Sequence, residues 1–324
     1  MAHLLETRFT RRFGIHLPIV LAPMDPASGG ALAGAVSAAG GLGLIGGGYA
    51  ETERLEREFP LAGNHRVGCG FITWALAGNP GLLDMALAHK PAALMLSFSD
   101  PAPFAGAIKA AGVPLICQVQ TLEHARRALD VGAEVIVAQG TEAGGHGQAA
   151  RSTLPFVPAV ADLIAARAPD CLLLAAGGIA DGRGLAAVLM LGADGALMGS
   201  RFWATREALI HPNAQAMAVA ADGDDTVRTR VYDIVRQKAW PSPYTGRLLR
   251  NGFISRWHGR EAELEALKHE EMRQVEAALE EGDFDMGNVT VGEAIGLVRD
   301  VPPAGDLVRR IAAEAQACLT RFAA

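Results

Sequence analysis

The sequence predicts an α/β chain folded as a (β/α)8 TIM barrel with a mostly helical cap, and three observations predict it. Short apolar runs alternate with helix-length segments, as in parallel sheets buried on both faces. About eight such units follow one another over roughly 200 residues, which suits a closed barrel better than an open sheet. Glycines close helices just ahead of the next run, where a left-handed residue is commonly needed.

The runs occupy 17–22, 42–45, 67–71, 93–98, 114–119, 134–138, 171–176 and 195–198. Between them, 28–39, 122–131 and 182–191 carry the Ala and Leu spacing of a helix face packed on a barrel, and Gly40, Gly132 and Gly192 end them. The rhythm stops after Arg201. The expected division is a barrel over 1–210, a cap or substrate domain over 211–287 and a carboxy-terminal segment, 288–324, that returns to the barrel. Within the cap, 226–232 alternates like a strand, Trp240-Pro-Ser-Pro-Tyr244 reads as a rigid turn, and 261–279 as a charged, solvated helix. The stretch 306–322 is amphipathic and is expected to pack on the barrel.

Composition narrows the function classes. Half of the 324 residues are hydrophobic, enough for a large core, and 29 Lys and Arg stand against 35 Asp and Glu with no basic stripe, which argues against nucleic acid. The uncharged stretch 27–50 is long enough for a bilayer, but 40–48 is mostly glycine, so a short helix followed by a buried strand is the better reading. The first 18 residues lack the apolar core of a secretory signal. Cys69, Cys117, Cys171 and Cys318 are widely spaced, which points to buried thiols in a cytoplasmic setting and to no zinc site or other metal. The histidines form no metal-ligand spacing with an acidic partner.

The chemistry is expected where barrel strands end. Ala176-Gly-Gly-Ile-Ala-Asp-Gly182 follows the seventh run and Met198-Gly-Ser-Arg201 the eighth. Gly177, Gly178 and Gly199 let a backbone approach an anion closely, and free N–H groups at a helix start with the Ser200 hydroxyl supply donors, so a phosphate site is preferred over plain tight turns. The literal Gly41-Leu-Gly43-Leu-Ile-Gly46 is not a dinucleotide fingerprint, because it follows a helix and contains the strand. The two glycine turns suit one phosphate better than a pyrophosphate. Leaving the sixth run, Val137-Ala-Gln-Gly-Thr-Glu-Ala-Gly-Gly-His-Gly147 presents His146 on a flexible glycine frame, and an imidazole can accept or donate a proton near neutral pH. At the first run's end, Ala22-Pro23-Met24 places Met24 either against a ring or in the core. Gln118 and Gln139, near the ends of the fifth and sixth runs, need polar partners, either a flavin's heteroatoms or an internal hydrogen bond.

These residues resemble the nitronate monooxygenases, formerly called 2-nitropropane dioxygenases. The likeness runs through Pro18-Ile-Val-Leu-Ala-Pro-Met24, the stretch 137–146, Ala175 to Gly184, Gly192 to Phe202, Thr245-Gly-Arg-Leu-Leu-Arg-Asn251 and a degraded tail, Gly292-Glu-Ala-Ile-Gly-Leu-Val-Arg299. The resemblance implies a metal-free FMN enzyme that oxidises alkyl nitronates, or nitroalkanes, with O2 to a carbonyl compound and nitrite through a flavosemiquinone. His146 would contact the substrate and act as base toward a neutral nitroalkane. Gly177, Gly178, Gly199 and Ser200 would bind the phosphate, with Ala22, Pro23, Met24, Gln118, Gln139, Gly144 and Gly145 around the ring system and ribityl chain. Gly70 stands where many members have asparagine, and Val291 and Ile295 where some have tyrosines, which implies a more apolar pocket; Arg299 is placed to attract an anion at the rim. A flavin- and NAD(P)H-dependent enoyl-acyl-carrier-protein reductase shares the Glu-Ala-Gly-Gly-His loop and is the rival enzyme reading, and a non-catalytic flavin-binding protein the rival from another class. A homodimer is allowed; neither nucleic acid nor membrane is expected as a partner.

Overall fold

The computed structural model describes residues 5–49 and 51–321. Residues 1–4 of the amino-terminal stretch, Ala50 at the end of the uncharged stretch, and 322–324 of the expected last helix and returning segment lie outside them.

In chain order the strands are β1 (Ile19–Leu21), β2 (Leu44–Gly46), β3 (Gly68–Ile72), β4 (Leu94–Ser97), β5 (Leu115–Val119), β6 (Val135–Gln139), β7 (Gly145–Gly147), β8 (Leu172–Ala176), β9 (Gly195–Met198), β10 (Thr226–Thr229) and β11 (Thr245–Leu249). Eight form one parallel sheet in the order β1, β9, β8, β6, β5, β4, β3, β2. Its two edge strands meet through a bridge between Val20 and Leu42, with Leu21 N–H donating to Leu42 O at 2.9 Å and Leu42 N–H to Ile19 O at 3.0 Å. This closes a TIM barrel, and each of the eight apolar runs supplies one of its strands.

Side-chain alternation builds two layers of core. Val20, Leu44, Met95, Ile116, Val137, Leu174 and Leu197 fill the barrel, while Ile19, Ile45, Leu94, Cys117, Ile136, Leu173 and Ala196 meet the surrounding helices. The amino-terminal helix Arg8–Phe13, capped by Thr7, stoppers the bottom: Phe9 and Phe13 lie with ring centroids 4.5 Å apart against the interior layer. The helix after β1 covers Gly30–Ala38, and Gly40, Gly132 and Gly192 all have positive φ, as required of residues that end a helix and re-aim the chain. The long uncharged stretch is thus helix plus β2, and among the described residues no helix is long and apolar enough to cross a membrane.

Beyond 210 the chain forms helices Pro212–Ala220, Val231–Val235, Gly252–Trp257 and Glu261–Glu281 and the antiparallel pair β10–β11. The strand expected over 226–232 ends at Thr229, and its last residues open the helix Val231–Val235. The charged helix is not solvated all round, since Leu264, Glu271, Val275 and Ala278 are buried. The closing helix Ala304–Arg321 returns to the barrel against helix Gly182–Met190, so closely that a Cβ on Gly182 would fall 2.3 Å from Ala315 N.

Candidate active site

The carboxyl ends of the barrel strands and the segments beyond 210 enclose a cavity of about 610 Å³. Such a volume suits a cofactor-sized ligand. The thirteen residues expected to hold the cofactor or act as base all line it: Ala22, Pro23 and Met24 after β1, Gly70 in β3, Gln118 and Gln139 in β5 and β6, Gly144, Gly145 and His146, Gly177 and Gly178 after β8, and Gly199 and Ser200 after β9. The seventh and eighth barrel strands are β8 and β9. At the first of their exits Gly177 and Gly178 hold φ of 97° and 74°, a conformation strained for any side chain, and a Cβ on Gly177 would sit 3.0 Å from Gly140 O.

The donors there differ from expectation. The first N–H groups of helix Gly182–Met190 are already met, Gly182 donating to Glu314 at 3.0 Å and Arg183 and Gly184 to Asp181 at 3.0 and 3.1 Å. They are not free to bind an anion. Ser200 Oγ accepts from Gly292 N–H at 2.8 Å, which leaves its hydroxyl hydrogen to donate.

His146 is not on a flexible frame. Residues 145–147 form β7, which pairs antiparallel with β11, His146 opposite Gly246. Two arginines fasten the segment. Arg228 donates to Gly147 O at 3.2 Å, Thr245 O at 2.8 Å and Thr141 O at 2.9 Å, and Arg247 to Thr141 O at 3.1 Å. Burial, and then the neighbouring Arg247, lower Arg228 to about 10, so it still carries its charge at neutral pH. The imidazole stacks on the Trp240 indole at 3.4 Å between centroids and 5° between planes, and its Nε2 lies 2.9 Å from Asp233 Oδ1. Trp240 in turn donates to the Tyr49 hydroxyl at 2.9 Å, and burial pushes that phenol up to about 12. Gln139 accepts from Gln118 at 3.0 Å and Gln120 at 2.7 Å and donates to His146 O at 3.2 Å, so the glutamines bond one another and the histidine segment, while Gln120 Oε1 is buried with no partner among the described residues.

The nitronate monooxygenase family model matches residues 76–314, about three quarters of the chain. The chain belongs to the nitronate monooxygenase family. A nitronate monooxygenase of Metarhizium robertsii is 35% identical, covering 94% of this chain and 93% of its own. Among solved structures, FabK from Thermotoga maritima superposes with a TM-score of 0.85 at 30% identity over 98% of both chains. Nitroalkane oxidase from Streptomyces ansochromogenes gives 0.81 at 27%, covering 95% of this chain and 98% of that one.

Within this oxidoreductase family the departures of the chain have local causes. Gly70 is packed by Pro23, whose Cγ would lie 2.3 Å from a Cβ there, so an asparagine has no room. Ser97, at the end of β4, lines the cavity nearby and among the described residues its hydroxyl has no hydrogen-bond partner. Val291 and Ile295 do not line the pocket as their place in the family's tail motif implied: both are fully buried in a core with Trp203 and Leu249, while Asn288, Thr290, Gly292 and Ala294 face the cavity. Arg299 is not at the rim either. It donates to the carbonyls of Ala221 and Val298, and the arginine that reaches the cavity is Arg236. Sequence reasoning also missed Asp233, Trp240 and Ser97, which stand far along the chain from their partners or in an unremarkable strand. Met272 and Leu279 were hidden in the charged helix, whose apolar row also carries Leu264 and Val275 into the core with Tyr232 and Phe253.

Proposed function

We propose that the protein is an FMN enzyme that oxidises alkyl nitronates, or nitroalkanes, with O2 to a carbonyl compound and nitrite. The reading rests on one observation above the others: an imidazole fixed in plane by a tryptophan lies in the same cavity as two glycine-rich strand exits. Gly177, Gly178, Gly199 and the Ser200 hydroxyl would hold the phosphate. Ala22, Pro23, Met24, Gly70, Gly144 and Gly145 would pack on the ring system and ribityl chain, with Gln118, Gln139 and Ser97 offering polar contacts. The fit is supported by Ser97 and the Oε1 of Gln118, which line a largely apolar cavity with no partner among the described residues, where a heteroaromatic ring supplies one. The flavin, when bound, supplies electron transfer from substrate to oxygen. The chain supplies the rest: His146 faces the substrate and takes a proton from a neutral nitroalkane, Arg236 presents a positive charge to an anion, and the stitched β7 keeps the imidazole at a fixed height.

The setting is cytoplasmic on this reading, in keeping with four free cysteines, of which burial pushes Cys69 and Cys117 far up and Cys171 up to about 11. Reconstituted protein is expected to be yellow, to release FMN on denaturation, and to couple oxygen uptake to nitrite release across a panel of nitronates. His146→Ala should keep the flavin and lose at least about a hundredfold in rate with neutral nitroalkanes. Absence of flavin absorbance after reconstitution, or of nitrite with every nitronate, sinks the proposal. A second reading, reduction of an acyl thioester's double bond with NAD(P)H, is favoured by the apolar arm of the cavity at Ile210, Met272, Leu279 and Phe284. Rapid anaerobic bleaching of the flavin by NADH or NADPH would select it. A binding-only protein would show no turnover with either substrate class.

A further inference from the structure

We infer that Asp233 is a positioning residue for proton abstraction, accepting the Nε2 hydrogen of His146 so that Nδ1 presents the bare lone pair to substrate. The inference rests on the reading of His146 as the group that deprotonates a nitroalkane. Four features of the site carry it. Asp233 Oδ1 stands 2.9 Å from His146 Nε2, and no other side chain among the described residues bonds to the imidazole. A carboxylate only accepts, so a neutral ring facing it must carry its hydrogen on Nε2. Nδ1 has no protein partner among the described residues, and His146 lines the cavity. Finally, the face-to-face stack on Trp240 bars the ring from turning to exchange its two nitrogens.

Asp233 is also chemically incomplete. It is buried, on helix Val231–Val235, and its Oδ2 has no hydrogen-bond partner among the described residues. A buried carboxylate with one neutral hydrogen bond is poorly compensated. When the C–H bond beside the nitro group breaks, its electron pair stays on the substrate as the nitronate and the proton passes to Nδ1. The ring becomes a cation 2.9 Å from Asp233, and the pair gains strength at that moment rather than before it. The same logic of a carboxylate fixing a histidine tautomer operates in the serine protease triad. A preformed nitronate needs no such step, and its oxidation should be indifferent to the carboxylate.

The test compares wild-type holoprotein with Asp233→Asn at matched flavin content, using a nitroalkane and its preformed nitronate as separate substrates. The expected result is a fall of about a hundredfold in the nitroalkane rate, with the nitronate rate within about threefold of wild type. Parallel loss on both substrates, no change on either, or a wild type that oxidises the nitronate while leaving the nitroalkane untouched overturns the inference. A second measurement stands if the variant does not fold or if the protein oxidises no nitronate at all. In 15N-histidine spectra of wild-type holoprotein at alkaline pH, with His146 assigned from the signal lost in His146→Ala, hydrogen on Nε2 is expected. Hydrogen on Nδ1 refutes the assignment.

Discussion

At Gly70 a β-carbon would collide with the Pro23 ring, and at Gly292 it would come within 2.5 Å of both Glu142 O and Gly144 N. These two glycines buy close approach, the first beneath the proposed ring site and the second where the tail meets the histidine segment. Gly70→Asn should therefore lower flavin occupancy and destabilise the fold by about 1–3 kcal/mol, the usual range for overpacking. Urea unfolding and the ratio of flavin to protein absorbance would check it, and an undiminished flavin content would show that Pro23 yields. Much of the site was legible at this scale. Glycines at strand exits and a histidine framed by glycines announce themselves in a linear chain, because the need for positive φ or close approach is local. Asp233 was not, since it reaches His146 across 87 positions and nothing near it in sequence marks it as other than a helix acid. The two glutamines were legible as needing partners, but which partner was a question of distance alone.

At the level of elements, β7 and the arginines that fasten it decide where the imidazole sits. Arg228 spans the histidine segment and β11 through three carbonyls. In Arg228→Met those carbonyls lose a charged donor at a cost of about 1–3 kcal/mol, and kcat should fall while flavin content holds. A variant with normal kcat would mean that the β7–β11 ladder suffices. Arg299, bound to two backbone carbonyls away from the cavity, makes the contrast: Arg299→Ala should leave KM for an anionic substrate unchanged, whereas Arg236→Ala should raise it. The barrel strands were readable because burial on both faces makes them continuous apolar runs. The three-residue β7, rich in glycine, has no such pattern and exists because β11 offers it a ladder. The charged helix Glu261–Glu281 concealed its apolar face because a single row of residues packs inward while three sides remain wet.

The whole molecule is held by closure at both ends of the barrel and by the return of the last helix. One ion pair matters disproportionately there: Arg201, 3% exposed, is met by Asp300, which also pairs with Arg310. Arg310, then Arg201, hold the Asp300 carboxyl below its ordinary range. With the folded value depressed, its contribution is complete above the ordinary carboxylate range and disappears as pH falls through the lowered value. Asp300→Asn should cost about 1–2 kcal/mol at neutral pH, discounted because the carboxylate is half exposed, and should flatten the acid limb of a stability profile. An unaltered acid limb would assign acid unfolding to other carboxylates. Fold class was readable at this scale from rhythm alone, whereas the way 211–287 joins the barrel depends on pairings between distant segments. That junction has a thermal consequence. Since a strand from the barrel's sixth loop is the third member of the sheet made by β10 and β11, heat cannot melt one part and spare the other. A calorimetric scan should trace one endotherm, and a proteolytic fragment ending near residue 210 should retain no ordered histidine.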